Sequence, residues 1–166
     1  MATTTAGLWY PDGSTPISII QMIKAAQESV QTVAGLGAWT SYTPVLAATT
    51  NPVLGTGGSA VGRYTKHGKV VTFSTSITFG TSGFTSGDGP WTVSLPTPSG
   101  GSSKFALAGW IIWQGHFATP FTAIIYPGGS IATEMRNSDR TQVSSTTYTP
   151  MTAATTIVLS GTYEGA

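Results

Sequence analysis

Hydrophobic and polar positions change rhythm once along this chain. Before residue 34 the apolar residues recur every three or four positions; from about Trp39 they recur every second position. In the first stretch Ile19, Ile23, Ala26, Val30 and Val33 are spaced 4, 3, 4 and 3 residues apart. That is a heptad seam, with Ile23 and Val30 at a and Ile19, Ala26 and Val33 at d. Ser14 or Thr15 can cap such a helix, Pro16 suits its first position, and Gly35 and Gly37 end it. Ahead of it, residues 1–14 read as an extended arm carrying the apolar cluster Leu8, Trp9 and Tyr10 before the turn sequence Tyr10-Pro11-Asp12-Gly13. An amphipathic helix of this kind either packs on its own domain or bundles with copies of itself. The separating segment Gly35-Leu36-Gly37-Ala38 favours the bundle, and β-branched a and d residues permit a trimer. About two and a half heptads are marginal alone, so the domain that follows would have to join the assembly.

The period-two part begins with Tyr42, Val45 and Ala47. A hairpin follows, residues 60–66 and 69–79 around His67-Gly68, with Val71, Phe73, Thr75, Ile77 and Phe79 on one face. Residues 80–90 are a long Gly/Ser/Thr loop containing Phe84. Residues 91–95 alternate again and stop at Pro96. Further strands are expected over 105–114, 121–126, 130–136 and 154–163, with loops at 98–103 and 127–129 and a polar turn at 137–140. Seven or eight short strands at this spacing, with no helical segment between them, predict a mainly β protein: an antiparallel β-sandwich or jelly-roll-like domain preceded by an extended arm and one short N-terminal α-helix. The expected division is 1–37, an attachment arm with an oligomerisation helix, and 38–166, the β domain. Trp110 and Trp113 lie three apart, so in one strand they face opposite ways, and one of them must cover another surface.

Composition narrows the function. Charged residues make up 8% of the 166, against about 25% in an ordinary soluble domain. Polarity comes from 29 Thr, 18 Ser and 21 Gly. A net charge of +1 leaves no basic surface for phosphate neutralisation, which argues against nucleic acid as a partner. No apolar stretch reaches the roughly 20 residues that span a bilayer, so membrane insertion is not expected. Absent cysteine excludes disulfides, thiolate metal sites and a Cys nucleophile.

Catalytic chemistry has little material. Asp88 and Glu134 could flank a sugar as an acid/base pair if the fold brings them together, but Asp88 sits in the turn sequence Ser86-Gly87-Asp88-Gly89-Pro90. His67 and His116 have no metal-ligand spacing. Neither a Gly-x-Ser-x-Gly elbow nor a phosphate-loop lysine is present. The expectation is a non-enzyme without cofactor or metal. A surface of hydroxyls, glycines and aromatics suits protein–protein assembly or carbohydrate contact. Candidate glycan contacts at loop edges are Phe84, Trp91, Trp113 and Phe117, with Phe121 beside them; core burial is the stronger expectation for each.

A family signal runs through Trp39-Thr40-Ser41-Tyr42-Thr43-Pro44, Asn51-Pro52-Val53-Leu54-Gly55, Gly62-Arg63-Tyr64-Thr65-Lys66-His67-Gly68-Lys69-Val70-Val71-Thr72-Phe73, Ile77-Thr78-Phe79-Gly80 and Trp91-Thr92-Val93-Ser94-Leu95-Pro96. This resembles the C-terminal β domain of minor tail and fibre-like virion proteins of tailed bacteriophages, particularly those infecting actinobacteria. The resemblance implies a homo-oligomer, most often a trimer, assembled in the host cytoplasm into the virion. Leu8, Trp9 and Tyr10 would dock on another virion protein, and the β domain would point outward toward host-surface glycan. It implies no catalytic residues. Because the helix meets the β domain almost directly, a short knob is expected rather than a long fibre.

Overall fold

Residues 70–78 alternate between exposed or half-buried and fully buried side chains, and the computed structural model of the protein shows the strand they build. The structure describes residues 23–24, 37–113, 118–144 and 152–166. Leu8, Trp9, Tyr10, Ile19, Ala26, Val30, Val33 and Phe117 lie outside the described residues; Ile23 and Lys24 are helical and exposed. The β-rich unit spans Trp39–Ala166. Its strands are β1 (Thr40–Tyr42), β2 (Leu46–Ala47), β3 (Ser59–His67), β4 (Val70–Thr78), β5 (Thr92–Ser94), β6 (Phe105–Ile112), β7 (Ala118–Ile125), β8 (Ile131–Asn137) and β9 (Thr156–Glu164).

The protein is mainly β and antiparallel. All nine strands belong to one sheet in the order β1-β3-β4-β9-β6-β7-β8-β5-β2. The two ends of that order, β1 and β2, are joined by only Thr43, Pro44 and Val45. Laid flat, nine strands would set their edges about 38 Å apart. The four Cα steps from Tyr42 to Leu46 reach at most about 14 Å. The sheet must therefore curl until its ends meet. Residues 40–47 act as one extended strand that changes partner: Tyr42 pairs with Gly62 on β3, and Leu46 pairs with Val93 on β5. At the crossing, the Val45 carbonyl accepts the Ser94 N–H (2.9 Å) and the Val45 N–H donates to Ser94 Oγ (2.8 Å).

A curled sheet has one inside. Val71, Phe73, Thr75, Ile77 and Phe79 all point into it, as the alternation predicts, and each is at most 2% exposed. Trp91, Val93 and Leu95 join them from β5 and its flanks, Leu107 and Ile111 from β6, and Ile157, Leu159 and Tyr163 from β9. Fully burying each large side chain contributes about 1.5–3 kcal/mol. The ion pair Lys69–Glu164 (3.6 Å) joins side chains that are 78% and 41% exposed, and such a pair contributes about 0–1 kcal/mol. Packing therefore holds this fold. The Tyr163 hydroxyl donates to the Thr97 carbonyl at 2.7 Å, whereas the Tyr42 hydroxyl and Ser99 Oγ are buried without a hydrogen-bond partner among the described residues.

Two local readings differ from the structure. The first strand turns Tyr42, Pro44 and Leu46 inward, and Val45 outward at 58% exposure. The rigid Pro44 ring takes the inward place between Tyr42 and Leu46, so the face expected from Tyr42, Val45 and Ala47 is shifted by one. The hairpin turn is Gly68-Lys69, not His67-Gly68, because His67 still pairs with Val70; Gly68 supplies the left-handed residue at φ 58°.

Tyr42 stands at the crossing. Its ring lies where any Cβ on Gly62 would be, 2.4 Å from Cε1, and meets Tyr64 edge-on at 6.0 Å. Burial, with a smaller contribution from Tyr163 and opposed by Thr75, pushes the Tyr42 phenol from 10.0 up to about 12. The folded state thus holds this proton more tightly than the unfolded chain. Stability from this group is intact below pH 10 and is lost as pH rises toward 12. Urea midpoints measured from pH 8 upward should fall above pH 10, and Tyr42→Phe should flatten part of that fall, the rest belonging to Tyr163, whose phenol burial also raises. An identical alkaline slope in the variant would refute the assignment.

Candidate functional site

The outer face of β6, β7 and β8 carries the feature most suited to contact with another molecule. Leu107, Gly109 and Ile111 point inward on β6, so Ala108, Trp110 and Ile112 point outward. Register then sets their neighbours. Trp110 is opposite Pro120, Ala108 is opposite Thr122, and Thr122 is opposite Arg136. Trp110 is 46% exposed. Small Ala108 leaves a gap between the Trp110–Pro120 row and the Arg136 row, and the result is a groove of about 290 Å³ lined also by Asn137 and Ser138.

Two devices set its far wall. The first is a bulge. On β7 one residue, Ala123, separates Thr122 from Ile124, whereas on β8 two, Glu134 and Met135, separate Thr133 from Arg136. Glu134 sits in the extra position at φ 47°, a left-handed conformation that costs about 1–3 kcal/mol in a non-glycine residue. The Tyr126 hydroxyl donates to the Glu134 carboxylate there. The bulge lets both Ala132 and Met135 face the core and turns Arg136 outward. The second device is the turn after β8. The Asn137 N–H donates to the Thr141 carbonyl, and Asn137 Oδ1 accepts the N–H groups of Asp139 (3.1 Å) and Thr141 (2.9 Å). Arg136 Nη1 donates to the Arg140 carbonyl at 3.0 Å. Both side chains at the wall are thereby oriented.

The aromatic residues singled out from sequence fare differently. Trp91 is entirely enclosed, with its indole N–H donating to the Ser86 carbonyl at 3.0 Å and Phe79 beside it at 6.3 Å; it has no face to offer a ligand. Phe121 is likewise core, at 3% exposure. Phe84 is half-buried against Phe79 (6.1 Å), and Trp113 is half-buried against the core. The residues that do present surface are Trp110 and Trp39, the latter 49% exposed with the Arg63 guanidinium 4.7 Å above its ring. Trp110 is the member of the Trp110/Trp113 pair that faces away from the core. Parity with Leu107 and Ile111 was the signal that separates it from Trp91.

Asp88 and Glu134 are each engaged with other partners: Asp88 exchanges backbone hydrogen bonds with Thr50 (3.0 and 3.1 Å), and the Glu134 carboxylate accepts from the Tyr126 hydroxyl. His67 is exposed, its Nε2 3.5 Å from Thr65 Oγ1. Among the described residues no group of three or more His, Cys, Asp or Glu side chains could hold a metal ion, and no helix is long and apolar enough to cross a membrane.

In comparisons with known proteins, no family model, no curated protein and no solved structure matches this chain.

The groove floor depends on Gly109. A Cβ there would lie 2.2 Å from the tip of the Phe121 ring, which is enclosed and cannot swing away. Gly109→Ala should destabilise the protein by about 1–3 kcal/mol in urea unfolding. Gly161→Ala, which meets only a Leu107 methyl at 2.5 Å, should cost less. Equal costs would show that the Phe121 ring yields.

Proposed function

We propose that this chain is a non-enzymatic structural component of a bacteriophage virion, a short knob of the tail, baseplate or capsid surface. Its N-terminal segment joins three copies and anchors them to a neighbouring virion protein, and its β unit faces outward. One observation carries this reading. Among the described residues nine large apolar side chains are 42–60% exposed, including Ile23, Val45, Val53 and Val61, on a chain with few charges. A surface of this kind suits coverage by other protein. Ile23 is at the centre of the heptad seam, and its 52% exposure in the single chain leaves it free to meet its counterparts. The motifs from Trp39 to Pro96 that resemble phage tail domains supply the virion context.

Ile23→Asp places three carboxylates at the centre of such a bundle, where burial without partners is strongly unfavourable. Light scattering of the full chain should give three times 17.1 kDa for the parent and a single chain mass for the variant. An unchanged mass would refute the seam. The virion reading itself requires that peptides of this chain be recovered by mass spectrometry from particles purified from the cells that make it; particles without them would overturn it.

A further inference from the structure

We propose that the groove beside Trp110 is a binding site for an acidic sugar, a pyranose ring carrying a carboxylate. The groove stands whether or not the chain belongs to a virion. Three properties of its wall point to this ligand. The first is a platform: the Trp110 indole is outward and half exposed, with the Pro120 ring opposite it in the sheet. A flat aromatic face with an apolar neighbour takes the C–H face of a sugar ring. The second is polarity. Asn137 spends its carbonyl oxygen on the turn, which leaves its amide N–H groups to donate. Arg136 spends Nη1 on the Arg140 carbonyl and keeps further N–H groups, while Thr122 and Ser138 add hydroxyls. The groove is mostly apolar, and the few polar groups at its wall are mainly donors, which suits a ligand with an apolar face and acceptors at its edge.

The third property is charge. Arg136 is the charged residue of the lining, and no Asp or Glu is among the residues that form the groove. A guanidinium held at the groove's edge by the Arg140 carbonyl matches a carboxylate in shape as well as sign. A groove of about 290 Å³ lies at the small end of ligand pockets, which fits one or two sugar units rather than a long chain. The opening exists because Ala108 is small, and the platform and the cation are brought side by side only by the register Trp110–Pro120 and Ala108–Thr122–Arg136.

The test is a titration of the full chain, labelled with nitrogen-15, with glucuronic acid and with methyl glucoside at matched ionic strength, followed by the indole N–H resonances. The Trp110 resonance should move saturably with both sugars, and more tightly with the acid. Trp110→Ala should weaken binding of both at least about tenfold, as loss of one stacking contact implies. Arg136→Gln should bring glucuronic acid to the level of methyl glucoside and leave the neutral sugar unchanged, an effect that a merely structural role for Arg136 would not produce. Ala108→Phe, which fills the gap, should abolish binding with the melting temperature retained. Absence of a saturable shift up to about 50 mM, well beyond millimolar affinity, would overturn the proposal. So would an unchanged affinity in Trp110→Ala, read there from the backbone amide resonances of Arg136 and Asn137 because that variant lacks the indole reporter. A chain mass that falls in Trp110→Ala would assign this face to contact between copies instead, whereas a mass that falls only in Ile23→Asp leaves the groove free for its ligand.

Discussion

Three residues, Thr43, Pro44 and Val45, tie one end of the strand order to the other, and that tether is the constraint on which the rest of the molecule depends. A ladder of nine strands has two raw edges, each a row of unpaired amides. Passing one strand from β3 to β5 brings those edges together and gives both a partner within the same segment. Once the sheet is curled, side-chain parity has a single meaning along every strand: one set faces the common core and the other set is the surface. Nothing else in the fold needs to choose which face is inside.

The surface set is unusual in being built from hydroxyls. On neighbouring strands Thr72 meets Thr162 and Thr78 meets Thr156, each pair with oxygens 3.0 Å apart. Such pairs satisfy one another across the sheet without recruiting charge. They leave an outer skin that is polar enough for water yet lacks the repulsion that separates like-charged surfaces. Aromatic and aliphatic residues set into that skin, such as Trp110 and Val61, are therefore approachable by neutral partners as well as charged ones.

Much of this was legible in the sequence, and the reasons differ by element. The β4 face could be read because four of the five inward residues from Val71 to Phe79 are apolar, Thr75 being the exception, while the residues between them are all Ser or Thr. The strand at 40–47 was misread because proline is not counted among core formers, although Pro44 holds an inward position. Trp91 lies in the core, the stronger of the two expectations for it, and the polar loop before it folds back so that Ser86 receives the indole N–H. The groove could not be read at all. Its members lie on three strands and a turn, joined by lateral register and by a bulge at a glutamate, a residue that carries no signal for a left-handed backbone.

The position of β9 has a consequence in time. This strand is the latest of the nine in the sequence yet lies in the middle of the sheet, between β4 and β6. Until it is made, β4 and β6 are the two open edges of a ladder that is continuous only the other way round, through residues 40–47, and the core lies open along that seam. A chain emerging from the ribosome can form the rest of the ladder early, but the sheet closes only when Thr156–Glu164 slots between β4 and β6. Contacts so distant in sequence make closure slow compared with local hairpin formation. During synthesis the apolar rows of β4 and β6 stand exposed together, which is the interval in which such a chain depends most on dilution or on chaperones.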